Sequence, residues 1–222
     1  MAGTMTEQEW RNSTDPLPML EYLQGKATDR KLRLFVVACC RSLFPLIQDK
    51  YCRKAVRTAE RFADGEVSPE KLRFAWASAR RSARTNRRLH RNDPETSSDI
   101  ALWAVAAAVE ERIANPIWLG GALTSSKKQG LIDSTMIDEA RILRDIFHYP
   151  YGIISFSASS LSHDTVILAQ KIYDERAFDR LPILADALEQ AGCDNQEVLN
   201  HCRGSGPHVR GCWVVDVALG KV

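Results

Sequence analysis

The residue types best suited to chemistry crowd into one stretch, residues 193–212, with the sequence CDNQEVLNHCRGSGPHVRGC. Thiolates and neutral imidazoles are preferred ligands of zinc, which structural sites hold in tetrahedral sets of four. The set offered here is Cys193, Cys202, His208 and Cys212, with His201 beside it. Cysteine pairs two to four residues apart, which mark many structural zinc sites, are absent, and Cys202 and Cys212 fall on apolar positions. The sequence therefore favours thiols packed around Trp213 in a closing turn without a cofactor, and zinc on these four residues is the alternative.

A thiol nucleophile is the second chemistry that this stretch allows. Cys202 with His208 as its base would need an orienting acid and an oxyanion site, and neither accompanies them. The acidic residues between Asp174 and Glu189 have the spacing of helix caps and outward helix faces. The sequence also has no glycine-rich phosphate loop, H-E-x-x-H or G-x-S-x-G motif. We therefore expect a protein that is not an enzyme, with a zinc-dependent enzyme as the most remote alternative.

A second candidate site is the basic segment 71–91, which contains no acidic residue. On a helix its arginines recur on one side, while Leu72, Trp76 and Ala79 recur on another. The planar guanidinium donates two hydrogen bonds at once to phosphate, so such a row predicts contact with a nucleic-acid backbone. The alternative is a solvated face that pairs with acids such as Glu110 and Glu111. The candidate nucleic-acid contacts are Arg73, Arg80, Arg81, Arg84, Arg87, Arg88 and Arg91.

The composition of the 222 residues is that of a globular protein, with 45% hydrophobic residues and a formal net charge of +2. No apolar run is long enough to span a membrane, and no secretory signal pattern is present, so we expect a cytoplasmic protein without a membrane partner. Six cysteines are then expected to be reduced thiols. Residues 1–4 precede a second methionine, Met5, which is an expected alternative start of the chain.

The first half of the chain is predicted to form consecutive helices. Residues 29–47 carry an apolar stripe at helical spacing, and Pro45 should kink or end that helix. Asp49 is expected to cap the next helix and Gly65 to end it. Ser68 followed by Pro69 predicts the start of a third. Residues 100–114 are apolar almost all round, which predicts a buried central helix.

The second half is predicted to be helical as well. A helix is expected at about 134–148, followed by a loop that allows one short strand near residues 153–156. Asp164, Asp179 and Asp194 are predicted helix caps, and Gly192 is a predicted helix end. Residues 213–219 fit either a strand or a helix, and we favour the helix because no firm partner strand is found.

Two stretches resemble known sequences. Residues 172–203, IYDERAFDRLPILADALEQAGCDNQEVLNHCR, resemble the short repeat-companion domain of planctomycete bacteria, whose core is R-L-x-x-A-D-x-L-E-x-x-G. The residues of that core begin here at Arg180, with one additional residue between Leu181 and Ala185. Residues 14–41 and 206–221 are similar to a larger uncharacterised planctomycete family. The resemblance implies a small helical module without an enzymatic role.

These patterns together predict an all-α protein of packed helical hairpins in an orthogonal or irregular bundle. We expect an N-terminal half at 5–115, a connecting segment at 116–133 and a C-terminal half at 134–222, or one compact domain. The predicted function is a non-enzymatic binding or scaffolding module with a protein partner, and RNA or DNA binding is the alternative. The identity of the partner and the oligomeric state are not predicted.

Overall fold

The computed structural model describes residues 5–45, 47–89, 138–148 and 161–221, without the side chains of 86–89. Within these ranges the chain is all-α and contains no strand, which confirms the predicted fold class. The helices are α1 (Glu7–Asn12), α2 (Pro16–Leu23), α3 (Asp29–Ser42), α4 (Lys50–Ala63), α5 (Pro69–Leu89), α6 (Glu139–Ile146), α7 (His163–Glu175), α8 (Leu181–Gln190), α9 (Gln196–Arg203) and α10 (Trp213–Ala218). In the part of the chain that the structure describes, no helix is both long and apolar enough to cross a membrane.

The chain forms two compact units, Met1–Ala140 and Arg141–Val222. The predicted connecting segment 116–133, the predicted helix at 100–114 and the allowed strand at 153–156 lie outside the described residues.

The first unit is built around α3, α4 and α5. The consecutive residues 32–40 of α3 are all buried, so this helix is covered on every side, whereas α4 and α5 each bury one face. α3 ends at Ser42, before Pro45, as predicted, because proline cannot continue the helix. Asp49 caps α4 by accepting the backbone N–H groups of Tyr51 and Cys52, as predicted. The chain then leaves α4 through Gly65, whose φ of 72° is the predicted left-handed conformation.

The second unit packs α7 to α10 around one apolar core. The buried core consists of Ala169, Ile172, Tyr173, Leu181, Leu184, Ala185, Leu188, Val198, Leu199, Cys202, Cys212, Trp213, Val214, Val215 and Ala218. Residues 213–218 are helical, which confirms the helix that we favoured over a strand. Gly192 has a φ of 91° after the end of α8, as predicted.

Three of the predicted helix caps are wrong by position. Ser162, rather than Asp164, caps α7, and Asn195, rather than Asp194, caps α9. Asp179 lies inside a short 3₁₀ turn that leads into α8, which has no side-chain cap. Serine and asparagine satisfy the same backbone N–H groups as aspartate, so residue type alone did not choose between neighbouring candidates.

Candidate functional site

The second unit contains a polar cluster beside its apolar core, formed by Asp145, His201, His208 and Cys212. Each residue offers one atom that could bind a metal ion, and these four atoms all lie within 4.8 Å of one another. The side chains of Asp145 and His208 are 3% and 8% exposed, and Cys212 is fully buried. Burying several ionisable groups costs free energy unless they form hydrogen bonds and ion pairs with one another. The contacts of each residue therefore determine how the cluster is stabilised.

Two helices and one tight turn bring these residues together. Asp145 lies in the last turn of α6, next to the buried Ile146, and His201 lies in α9, next to the buried Cys202. After α9 the chain turns back, and Gly211 takes a φ of 93°, a conformation that favours glycine. This turn places His208 and Cys212 against the end of α6.

Asp145 is the acceptor at the centre of the cluster. Its Oδ1 lies 2.6 Å from His208 Nδ1 and 3.1 Å from His201 Nε2, and its Oδ2 accepts the Val209 backbone N–H at 2.8 Å. Burial by itself raises the pKa of Asp145, but the hydrogen bonds with His201 and His208 hold it below its ordinary value. Asp145 is therefore a buried carboxylate that retains its charge.

His208 has a hydrogen-bond acceptor at each ring nitrogen. Nδ1 faces Asp145, and Nε2 lies 3.3 Å from the Gly204 carbonyl oxygen. Burial lowers the pKa of His208, but the hydrogen bond with Asp145 and the charge of its carboxylate outweigh burial, so the pKa lies above its ordinary value. In the absence of a metal, the imidazolium form fits these contacts best.

His201 is constrained by Trp213, whose indole N–H donates to His201 Nδ1 at 3.1 Å. An indole nitrogen is only a donor, so Nδ1 must be the acceptor and a neutral ring carries its proton on Nε2. That nitrogen faces both Asp145 Oδ1 at 3.1 Å and Cys212 Sγ at 3.2 Å. Trp213 itself is 5% exposed, in agreement with its predicted role as the anchor of the closing turn.

The shared nitrogen argues against a catalytic triad at Cys212. In such a triad the acid and the nucleophile bond to opposite nitrogens of the histidine, so that a proton taken from one side is stabilised from the other. Here Asp145 and Cys212 both face Nε2 of His201. Burial, reinforced by the negative charge of Asp145, also raises the pKa of Cys212 well above its ordinary value. The cluster lacks the arrangement that activates a thiol.

The four residues that formed the alternative zinc set are only partly brought together. His208 and Cys212 belong to the cluster, whereas Cys193 is half-buried outside it and Cys202 is part of the apolar core. Burial raises the pKa of Cys202 to about 12, so it is a packed thiol. Sequence reasoning missed Asp145 because nothing local connects it with residues more than fifty positions away. His201, in contrast, stood in the same stretch and was left out of the set.

The arginine row of α5 is resolved for four of its seven members. Arg80, Arg81 and Arg84 are exposed, and with the half-buried Trp76 they line a shallow depression of about 380 Å³. Among the described residues, none of these three arginines forms an ion pair, whereas Arg73 pairs with Glu70 at 3.0 Å. The side chains of Arg87 and Arg88, and the whole of Arg91, Glu110 and Glu111, lie outside the described residues.

A groove between α4 and α5 was not predicted. Its most exposed hydrophobic residue is Phe74, at 73%, and Tyr51 is 43% exposed. The groove has a volume of about 640 Å³ and is lined by Tyr51, Lys54, Thr58, Arg61, Val67, Glu70, Lys71, Phe74, Ala75 and Ser78. Phe74 interrupts an otherwise polar helix face, and that interruption was the signal available in the sequence.

Comparisons of the chain with family models, with curated proteins and with solved structures find no match. No family is assigned. The resemblance to planctomycete sequences stays an expectation.

Proposed function

We propose that the protein is a non-enzymatic binding module that uses the groove between α4 and α5 to hold a partner protein. The observation that carries this proposal is the exposure of Phe74, a large apolar side chain that is 73% accessible in the middle of a groove. Aromatic side chains supply much of the binding energy of protein interfaces because they bury a large area with few rotatable bonds. Single exposed hydrophobic residues are common, so the surroundings of Phe74 decide the argument.

The surroundings of Phe74 fit an acidic segment with an apolar anchor. Lys54 and Lys71 line the groove, and neither forms an ion pair with a described carboxylate. The acids and the other arginine nearby are already engaged, since Arg61 pairs with Glu66 and Glu70 pairs with Arg73. The two lysines can therefore attract carboxylates of a partner, which raises the rate and selectivity of association.

The groove is also rigid enough to bind without rearrangement. α4 buries Cys52, Val56 and Ala59, and α5 buries Leu72 and Ala79, so both walls of the groove are held by the core of the first unit. A preformed surface loses little conformational entropy when a partner binds. The six free cysteines fit a reducing compartment, so the cytosol remains the location that we propose.

Site-specific photocrosslinking in the source cells tests the proposal. A benzophenone amino acid replaces Phe74 and, in a matched control, replaces Ile183, which is 56% exposed in the other unit. We expect a protein that crosslinks from position 74 and not from position 183, in nuclease-treated samples as well. The purified partner should then lose at least about tenfold in affinity for Phe74→Ser and for Lys54→Glu/Lys71→Glu, since about 1.4 kcal/mol corresponds to tenfold. A partner that binds Phe74→Ser as well as Ile183→Ser contradicts the proposal.

Nucleic-acid binding through Arg80, Arg81 and Arg84 is the second candidate function. Arginines without an ionic partner in the described residues, next to a half-buried Trp76, offer charge for phosphates and an aromatic face for a base. Binding of a mixed-sequence oligonucleotide should fall steeply as salt increases, because phosphate contacts release counterions. Arg80→Glu/Arg84→Glu should abolish this binding, and Lys50→Glu/Lys171→Glu, which changes the net charge equally, should retain most of it. No binding at low salt, or an equal loss in both variants, rejects this candidate.

A further inference from the structure

We propose that Asp145, His201, His208 and Cys212 form a closed, structural zinc site in the second unit. Their donor atoms lie within 4.8 Å of one another, with separations of 3.1 Å from Asp145 Oδ1 to His201 Nε2 and 3.2 Å from that nitrogen to Cys212 Sγ. Donor atoms on a tetrahedral zinc are separated by roughly 3.3 to 3.8 Å, given the usual metal–ligand distances. The shortest separation, 2.6 Å between Asp145 Oδ1 and His208 Nδ1, must therefore open by less than about 1 Å.

The contacts around Asp145 and His208 are those that orient metal ligands. The Val209 backbone N–H holds Asp145 Oδ2, which leaves Oδ1 directed into the cluster. The Gly204 carbonyl oxygen lies 3.3 Å from His208 Nε2, so a proton on Nε2 leaves the lone pair of Nδ1 for the metal. Metal-binding histidines usually donate their other N–H to a carbonyl or carboxylate in this way, and ligating carboxylates are themselves hydrogen-bonded.

Zinc binding requires a change at His201. Coordination through Nε2 leaves the proton of a neutral ring on Nδ1, which now accepts the indole N–H of Trp213. The two N–H groups would oppose each other, so the Trp213 indole must move away from His201 Nδ1 when zinc binds. Zinc must also displace the thiol proton of Cys212 and the proton that His208 shares with Asp145, so binding releases protons.

Four protein ligands leave no open position for a water or a substrate, which is the mark of a structural zinc site. The ion would join α6, α9 and the start of α10, which otherwise meet through hydrogen bonds around Asp145. This site is independent of the groove in the first unit, and either proposal can fail without the other. The proposal departs from the sequence expectation of a closing turn without a cofactor. It also differs from the alternative zinc set, because Asp145 and His201 take the places of Cys193 and Cys202.

Titration of the untagged, chelator-treated full chain with zinc ions tests the proposal. We expect one zinc ion per chain. Cys212→Ser and His208→Gln should each weaken binding by more than about 100-fold, since loss of a hydrogen bond to a ligand alone typically costs about 10- to 100-fold. Cys193→Ser and His163→Gln are the matched controls, because Cys193 lies outside the cluster and His163 is exposed at the start of α7. Both controls should bind zinc as the unaltered chain does.

Cobalt(II) is a second probe that needs no variant at Asp145, whose loss could prevent folding. The unaltered chain should give the intense visible absorption of tetrahedral cobalt together with a thiolate-to-cobalt charge-transfer band. Cys212→Ser should lose the charge-transfer band, and Cys193→Ser should retain it. The proposal is overturned if the chain binds no zinc at one per chain, if cobalt is octahedral, or if Cys193→Ser weakens binding as much as Cys212→Ser.

Discussion

In each unit of the protein a buried carboxylate lies among cationic side chains, and the cationic groups differ in their chemistry. In the first unit, Glu60 accepts two hydrogen bonds from Arg41, at 3.1 and 2.8 Å. In the second unit, Asp145 is held by His201, His208 and a backbone N–H. A guanidinium keeps its charge throughout the pH range of folded proteins and does not bind metals, whereas an imidazole can lose its proton and bind one. The charge of Glu60 is therefore balanced by a guanidinium that always stays charged. The charge of Asp145 is balanced by imidazoles that can lose a proton or bind a metal.

The largest predicted effect concerns Trp213, whose indole N–H donates to His201 of the cluster in the second unit. Trp213→Ala should lower the free energy of unfolding by about 3 to 5 kcal/mol, because it removes a buried indole and leaves a cavity. Urea denaturation measures this loss. Cys202→Ala, which removes a smaller buried group from the same core, should cost clearly less. Equal losses in metal-free protein would mean that Trp213 is not the anchor of the closing turn.

Removal of the central carboxylate should have a comparable effect that depends on pH. In chelator-treated protein, Asp145→Asn should cost about 3 to 5 kcal/mol at mildly acidic pH, because it leaves a buried imidazolium without its partner. The pKa of His208 is raised in the folded state. Its stabilising contribution is therefore fully present below its unfolded pKa of about 6.5 and is lost as pH rises through the higher folded value.

The expected result is a destabilisation by Asp145→Asn that shrinks as pH rises above about 6.5. Paired denaturation curves of the variant and the unaltered chain at several pH values measure it. A destabilisation that stays constant or grows over this range contradicts the assignment of the proton to His208.

The Arg41–Glu60 pair of the first unit should contribute a stability that does not depend on pH. Glu60→Gln should cost about 1.5 to 3 kcal/mol, the range for hydrogen bonds to charged groups. This cost is smaller than the roughly 3 to 5 kcal/mol expected when a fully buried ion pair loses one partner. The reason is that the Arg41 side chain is 26% exposed, so water can hydrate it. Since Arg41 stays charged, this cost should not change between about pH 6 and 9. A pH dependence like that of Asp145→Asn would remove the distinction between the two units.

The smallest predicted effects are at helix caps, where the two units should be alike. Asn195 accepts the backbone N–H groups of Glu197 and Val198, and Thr28 accepts that of Lys31. Asn195→Ala and Thr28→Ala should each cost about 1 kcal/mol. Asp194→Ala is the control for Asn195 and should be within about 0.5 kcal/mol of the unaltered chain. A larger loss for Asp194→Ala would mean that Asp194 caps α9, as the sequence predicted, and that Asn195 does not.

The sequence predicted the helices well because the signals that determine them are local. The stripe from Leu32 to Leu43 is buried as expected, and Asp49 and Gly65 begin and end α4 where predicted. The candidate site was predicted only in part, because it depends on contacts between distant segments. His208 and Cys212 were named, but Asp145 reaches them across more than sixty residues, and Phe74 is conspicuous only once its neighbours on α4 are known.

The zinc K-edge absorption spectrum of the zinc-loaded, untagged chain tests the central claim most directly, because it counts the sulfur atoms bound to the metal. The structure predicts one sulfur at about 2.3 Å and three nitrogen or oxygen ligands at about 2.0 to 2.1 Å. Three sulfurs and one nitrogen would instead select the set of Cys193, Cys202, His208 and Cys212. That result, or a zinc shell without sulfur, would contradict the assignment of the metal to Asp145, His201, His208 and Cys212.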